Sequence, residues 1–233
     1  MKRKIFGIFM AGGQGLRMGA DTPKQFLILE GLPVLQRTIE RFVEACPDIE
    51  VVTVLPREHF DTWKKLCVEY SFNRKQILVE GGITRFHSVK NALGRVPDGV
   101  TVLIHDGVRP IVSVPFLKRI VDETEHSCGV IPVMPSIESL KYLEKNSKGN
   151  LIYSDAPDPD RSRIFCAQTP QAFHSEVIKR AYEQAYDLDF TDDASVAKRK
   201  NIPLSFIPGE RWNIKLTTKE DLSIARFLLG CRP

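Results

Sequence analysis

The sequence predicts an α/β fold, a mostly parallel, helix-covered sheet with a protruding β-arm, and three features carry that expectation. Apolar runs of strand length alternate with segments of helical period from Ile5 through Val133, the pattern of strands joined by helical crossovers. The first run passes directly into a glycine-rich loop, Met10-Ala11-Gly12-Gly13-Gln14-Gly15-Leu16-Arg17-Met18-Gly19. Residues 136–163 then interrupt the alternation. A chain of 233 residues accommodates this as a single domain, 1–233, with 136–163 as an insertion.

Taken in order, Ile5 to Met10 is a buried first strand. Leu35, Ile39, Phe42 and Cys46 form one stripe of a helix entered through Pro33. Val51 to Leu55 is a β-branched second strand, and residues 57–70 are helical with Phe60, Trp63, Leu66 and Cys67 on one side. Ile77 to Val79 is the third strand, closed by Gly81-Gly82, and Phe86, Val89 and Leu93 mark the next helix. Val100 to Ile104 is the fourth, followed by His105-Asp106-Gly107-Val108-Arg109-Pro110. A helix opens near Ser113 with Pro115 in its first turn, and Val130 to Val133 is another buried strand.

The insertion reads as two short strands, Ile137 to Leu143 and Leu151 to Tyr153, around a polar turn from Glu144 to Asn150. The stretch from Ala156 to Arg161 is too rich in proline for helix or central strand. A hairpin carrying Leu140, Tyr142, Leu143, Leu151 and Tyr153 needs a surface to cover it. Packing on a second copy of the chain provides one, and folding back on its own domain is the alternative. Beyond it, Val177, Ile178, Ala181, Tyr182 and Ala185 form a helical stripe, and Thr191-Asp192-Asp193-Ala194-Ser195 opens a short helix with acids in its first turn. Leu204 to Ile207 is a strand, Asn213 to Leu216 is extended, and Thr217 with Glu220 makes a capping box for a last helix burying Leu222, Ala225 and Leu229.

Composition narrows the function classes. The net charge of +4 is mild and interspersed, which suits small anionic ligands and does not point to nucleic acid. No apolar run reaches the roughly 18 residues of a membrane span, so no membrane partner is expected. The N-terminal Met1-Lys2-Arg3-Lys4 leads into a core strand and does not read as a signal peptide. Five scattered cysteines, without a C-x-x-C pair, argue against a disulfide framework or a zinc site and favour a reducing, cytoplasmic compartment.

Candidate chemistry gathers at strand ends. Closely spaced glycines let the backbone approach a ligand, and free amides in such a loop form an anion-binding hollow. Arg17 and Lys24 add positive charge to it. The spacing matches neither a P-loop nor a dinucleotide fingerprint. In parallel sheets ligands sit beyond the carboxyl ends of the strands, so this loop, Gly81-Gly82 and Asp106 should converge on one rim. Asp106 capping its own turn, Arg109 as a surface charge and Thr191 as a helix cap are the plainer alternatives. Gln168 to Gln171 is expected to shape the backbone, and Arg85 and His87 to be structural or solvated.

In this order, the glycine loop with Arg17, Pro23-Lys24-Gln25-Phe26, Gly81-Gly82-x-x-Arg85-x-x-Ser88-Val89, His105-Asp106-x-x-Arg109-Pro110, Gln168-Thr169-Pro170-Gln171, Thr191-Asp192-x-Ala194-Ser195 and Asn213-Ile214-Lys215 resemble the 2-C-methyl-D-erythritol 4-phosphate cytidylyltransferases. The ribitol-5-phosphate cytidylyltransferases, which make CDP-ribitol, share most of these motifs. The resemblance implies a Rossmann-like nucleotidyltransferase sheet whose β-arm clasps a second subunit in a homodimer. It implies transfer of a cytidylyl group from CTP to a sugar-alcohol phosphate with Mg²⁺, in non-mevalonate isoprenoid precursor synthesis. On that resemblance Arg17, Lys24 and Lys215 are the catalytic cations. Ala11, Gly12, Gly13 and Gly15 line the nucleotide, and Gly82 and Ser88 read its base and ribose edge. Asp106, Gly107, Arg109 and Ser139 hold the acceptor polyol, and Asp106 is the one candidate metal ligand. Arg161 and Thr191, from the partner subunit, grip the acceptor phosphate, with Arg163 a competing arginine beside Arg161. Gly12, Ser139 and Gly107 depart from the commonest family residues, which bears on the acceptor. A non-catalytic CTP-binding module is the remaining reading.

Overall fold

The computed structural model describes residues 3–13 and 22–230. Strand β1 (Ile5–Met10) is central, with β4 (Glu50–Leu55) and β6 (Thr101–Asp106) paired to it in parallel on its two sides. A two-strand hairpin, β2 (Ile28–Leu29) and β3 (Leu32–Pro33), precedes helix α1 (Val34–Ala45). It is an element the sequence reading lacked. Leu35, Ile39 and Phe42 of α1 are fully buried, as their spacing requires, while Cys46 falls just past its end. Helix α2 (Phe60–Glu69) buries Phe60 and Trp63, and β5 (Gln76–Glu80) pairs in parallel with β4.

Helix α3 (Arg85–Leu93) starts at an N-cap, Thr84, whose hydroxyl accepts from the His87 amide. Helix α4 (Val114–Thr124) is capped in the same way by Ser113, with Pro115 in its first turn. Strand β7 (Gly129–Pro135) does not lie beside β6. The two are separated by β11 (Gln171–His174), which runs antiparallel to both. β10 (Phe165–Ala167) also runs antiparallel to β7, and β12 (Ser205–Pro208) pairs with β7 in parallel. Only β10 and β11 run against the common direction of this sheet. Apolar side chains pack on both faces, one cluster around Leu35, Phe42 and Trp63 and the other around Val89, Phe173 and Tyr182.

The arm leaves the sheet where β7 and β10 stop pairing, at Pro135 opposite Phe165, and the Ser136 amide donates to the Ile164 carbonyl at its neck. Its strands are β8 (Leu143–Lys145) and β9 (Leu151–Tyr153), paired antiparallel. The first strand therefore begins where the sequence reading ended it, and Ile137 to Tyr142 is not strand. Helices α5 (Ser175–Ala181) and α6 (Asp193–Arg199) follow. The cap of α6 is Asp192, in a reciprocal box with Ser195, not Thr191. A carboxylate placed to accept from that amide leaves the threonine one position outside. The cap of α7 (Lys219–Gly230) is likewise shifted by one: Asp221 accepts from the Thr217 and Thr218 amides, and its own amide donates to Thr218. Cys46, Cys67, Cys128 and Cys166 form no disulfide among the described residues.

Candidate active site

Parallel strands β1, β4, β5 and β6 end on one side of the sheet, and the loops leaving them enclose a cavity of about 570 Å³. Its wall contains the Ala11-Gly12-Gly13 backbone from β1, Gly81 and Gly82 from β5 and Asp106 from β6, with Lys24 and Lys215 reaching in from elsewhere. Gly15 and Arg17 lie outside the described residues.

The β1 loop is held at its root. The Ala11 amide donates to the Val54 carbonyl at 2.9 Å, and the buried Gln25 side chain donates to the Ala11 carbonyl at 2.8 Å. That bond ties the short turn carrying Lys24 (Lys24–Phe26) to the end of β1. Among the described residues no atom lies within 4 Å of a Cβ built on Gly12, and one on Gly13 would lie 3.6 Å from Lys24 Cε. The glycine surface at Gly12 is therefore open to the cavity, and the Lys24 stem runs beside Gly13.

On the opposite wall the Gly82 amide donates to Ser88 Oγ at 2.9 Å, and Ser88 Oγ donates in turn to the Thr84 carbonyl at 2.9 Å. Ser88 thus shapes the loop as well as facing the cavity. A Cβ at Gly82 would approach His87 Cβ to 2.4 Å, so only glycine fits. Arg85 is not solvated: it lines the cavity and pairs with Asp193, while His87 Nδ1 sits 2.8 Å from the Thr84 hydroxyl.

At the third wall Asp106 Oδ2 lies 3.0 Å from Arg109 Nε and 3.1 Å from Lys215 Nζ. Burial alone would push this carboxyl up, but the cations of Lys215, Arg109 and Arg85 outweigh it and hold Asp106 well below the usual carboxylate range. Arg109 is not a surface charge, because it also donates to the Asn213 carbonyl at 2.7 Å. The Asp106 amide donates to the Thr169 hydroxyl, and the buried Asn213 side chain donates to the Thr169 carbonyl at 2.7 Å. Thr169, in the stretch expected to shape the backbone, and Asn213, to which the sequence reading gave no role of its own, so bring the Lys215 segment to the end of β6. Gln168 pairs with both backbone groups of Glu210 and clamps the start of that segment.

His105 points away from this chemistry, into the packing of Phe9 and Phe42. Burial lowers its pKa to about 3, so it is neutral. Gly107 is also behind the wall: a Cβ there would come within 2.8 Å of Leu35 Cδ1. Ser139, Arg161 and Thr191 are exposed and none of them lines the cavity. Arg161 donates to the Ile137 carbonyl at the arm's base, whereas Arg163 lines a separate apolar groove with Phe165 and Phe206.

Among the described residues no cluster of three His, Cys, Asp or Glu side chains could hold a metal ion. Asp106 is a hard, ionised oxygen donor beside the cavity. A magnesium ion takes one or two carboxylates and completes its shell from substrate phosphates and water. The donor set fits an ion of that kind, carried largely by a bound triphosphate.

The chain is similar to known proteins over nearly its whole length. The family model for 2-C-methyl-D-erythritol 4-phosphate cytidylyltransferase matches residues 5–231. A protein of that description from Porphyromonas gingivalis is 47% identical, over 98% of this chain and 99% of the relative. One from Bacteroides fragilis is 43% identical over 95% and 98%. Among solved structures, the 4-diphosphocytidyl-2C-methyl-D-erythritol synthase of Anaerococcus prevotii superposes with a TM-score of 0.77 at 26% identity, covering 98% of this chain and 97% of that one. A Francisella tularensis 2-C-methyl-D-erythritol 4-phosphate cytidylyltransferase gives 0.76 at 27% identity, covering 97% and 99%.

Proposed function

The chain belongs to the 2-C-methyl-D-erythritol 4-phosphate cytidylyltransferase family, and from that premise we propose how its own residues perform the transfer. The reaction joins the cytidylyl group of CTP to 2-C-methyl-D-erythritol 4-phosphate and releases pyrophosphate, a step of non-mevalonate isoprenoid precursor synthesis. Ribitol 5-phosphate is not favoured as the acceptor, because the family model and the relatives above carry the methylerythritol description.

A phosphate monoester has its second pKa near about 6, so at neutral pH its oxygen is already a nucleophile. It attacks the α-phosphorus of CTP, and the bond from that phosphorus to the bridging oxygen of the β-phosphate breaks. No side chain needs to remove a proton, which is consistent with a His105 that is neutral and turned into the core. The protein's task is to align the two phosphates and neutralise charge as it moves to the leaving group.

The observation that carries this reading is the convergence of open glycine backbone, Lys24 and the Asp106–Lys215 pair around one cavity. In it the Gly12 and Gly13 amides and Lys24 hold the triphosphate, with Ala11 at the root of that loop and Gly15 and Arg17 as its further members. Gly82 and Ser88 bound the nucleoside end. Lys215, oriented by Asp106, sits between nucleotide and acceptor, and Arg109 supports Asp106 from behind. Mg²⁺, or another divalent cation, would be held by Asp106 and the nucleotide's own phosphates, and supplies further charge neutralisation when bound.

The acceptor's far end is assigned to a second copy of the chain. Both faces of the arm expose apolar side chains, Leu143, Leu151, Ile152 and Tyr153 among them, which supports a homodimer in which the arm is covered. Arg161 and Thr191 then serve the partner's site, and Ser139 the polyol beside it. A cytoplasmic location accords with the absence of a disulfide among the described cysteines, and no described helix is long and apolar enough to cross a membrane.

The test is pyrophosphate release from CTP with each acceptor supplied separately. Turnover with methylerythritol phosphate is expected, and turnover with ribitol 5-phosphate alone rejects the acceptor. CTP binding without turnover on either would revive the binding-module reading.

A further inference from the structure

The nucleoside wall of the cavity is anchored by a charge that lies outside it. Arg85, the first residue of α3, lines the cavity with a side chain 30% exposed, and its guanidinium turns inward onto Asp193, which is wholly buried. The contact is two-pronged: Nη1 donates to Oδ1 at 2.9 Å and Nη2 to Oδ2 at 2.6 Å. The Tyr182 hydroxyl donates to Oδ1 at 2.6 Å. Burial alone would lower the arginine's pKa, but the Asp193 carboxylate more than reverses it.

Asp193 sits in a frame of its own. It opens α6 immediately after the Asp192 cap, and the Gln171 side chain grips that turn from both sides, donating to Asp192 Oδ2 and accepting from the Ala194 amide, each at 2.8 Å. Gln171 belongs to β11, paired with β6 at Ile104. The carboxylate is therefore fixed to the sheet, and the pair ties the start of α3 to it. That start also fixes the loop. Thr84 precedes Arg85, its carbonyl accepts from Ser88 Oγ, and Ser88 Oγ accepts from the Gly82 amide.

We propose that Asp193 is a positioning residue for the nucleotide: through Arg85 it locks the first turn of α3, and with it the Gly81-Gly82 wall, in the conformation that receives the nucleoside. This rests on the assignment of CTP to the cavity made above. The pair has a second consequence. With its charge answered by Asp193, Arg85 does not compete for the triphosphate, which is left to the Lys24 and Lys215 side.

Asp193→Asn keeps the shape and removes the charge. Titrating the full-length protein with CTP and Mg²⁺ in a calorimeter should show Kd raised about 10-fold or more, the scale expected when a wall shifts by a fraction of an ångström. In steady state KM for CTP should rise in parallel, with kcat at saturating CTP within about 3-fold of the parent, because the pair touches no reacting atom. Tyr182→Phe removes one of the three contacts and should give a smaller rise in the same direction. It also decides the matter if Asp193→Asn does not fold. A merely structural pair would lower melting temperature and leave the CTP affinity of the folded protein unchanged. That result overturns the proposal. If the parent protein itself fails to bind CTP, the assignment of the cavity falls instead.

Discussion

At the rim, charged groups from distant segments of one chain meet each other: Asp106 lies between Arg109 and Lys215, and the Ala11 loop is pinned by Gln25. In the arm the opposite holds, and Leu143, Leu151 and Tyr153 of β8 and β9 remain 46%, 65% and 68% exposed. The proposed nucleotide half of the site is thus assembled by contacts within one chain. The arm keeps apolar surface exposed, and its cations meet other arm residues, Lys141 at Asp158 and Arg161 at the Ile137 carbonyl. An isolated two-strand hairpin is marginal in water, so its sequence makes physical sense when something else buries it. With the homodimer proposed above, the difference separates what one copy would do alone from what two would do together.

The sharpest way to break this division is to remove rim charge. Lys24→Ala and Lys215→Ala should each lower kcat by about 10²–10³, the usual loss for one preorganised group facing developing charge, with the circular dichroism spectrum unchanged. Normal turnover in either variant would remove the rim from the mechanism. Next, replacing residues 141–154 with a short glycine-serine turn should halve the molar mass seen by light scattering relative to the parent. CTP affinity should persist while turnover falls about 100-fold through loss of the acceptor's alignment. An unchanged mass would show that the arm folds against its own domain.

Smaller effects sharpen the same contrast. Arg161→Ala should raise KM for the acceptor about 10-fold, the worth of one hydrogen bond to a charged group, and leave KM for CTP alone. If Arg163→Ala does so instead, the acceptor phosphate meets the neighbouring arginine. A separate effect concerns stability at the back of the rim. His105 takes its proton near pH 6.5 when unfolded and only at about 3 when folded. Stability that is complete above pH 6.5 should therefore decline as pH falls towards 3, by at most about 1.4 kcal/mol per pH unit from this group. His105→Gln should flatten that limb in melting curves recorded across the range, and an unaltered slope would refute the assignment.

Much of the molecule is legible in its residue pattern because the relevant contacts are local. Leu35, Ile39 and Phe42 recur at helical spacing whatever they pack against, and Ser113 caps the helix that follows it by accepting from the amide three residues on. The convergence of Gly12, Gly82 and Asp106 follows from strand direction alone. What escaped the pattern depends on partners far away in the chain. Nothing near β7 reveals that β11 will separate it from β6, and nothing near Arg85 reveals Asp193, 108 positions later. Thr191 and Thr217 look like helix caps, yet Asp192 and Thr218 take that role, because several neighbouring side chains can accept the same amide and packing selects among them.

By itself the sequence determined the alternation of strands and helices, the glycine loop behind the first strand, the presence of a hairpin and the family. These rest on periodicity, on backbone freedom and on the order of short motifs, all of which survive without coordinates. Only the tertiary structure decided that Arg109 and Lys215 share one carboxylate, that Gly107 serves packing, that His105 is sealed in the core and that Arg85 is anchored from beneath. The physical reason is common to all four: an electrostatic or steric partner is defined by distance in space, and a sheet that interleaves early and late strands makes that distance unrelated to position along the chain.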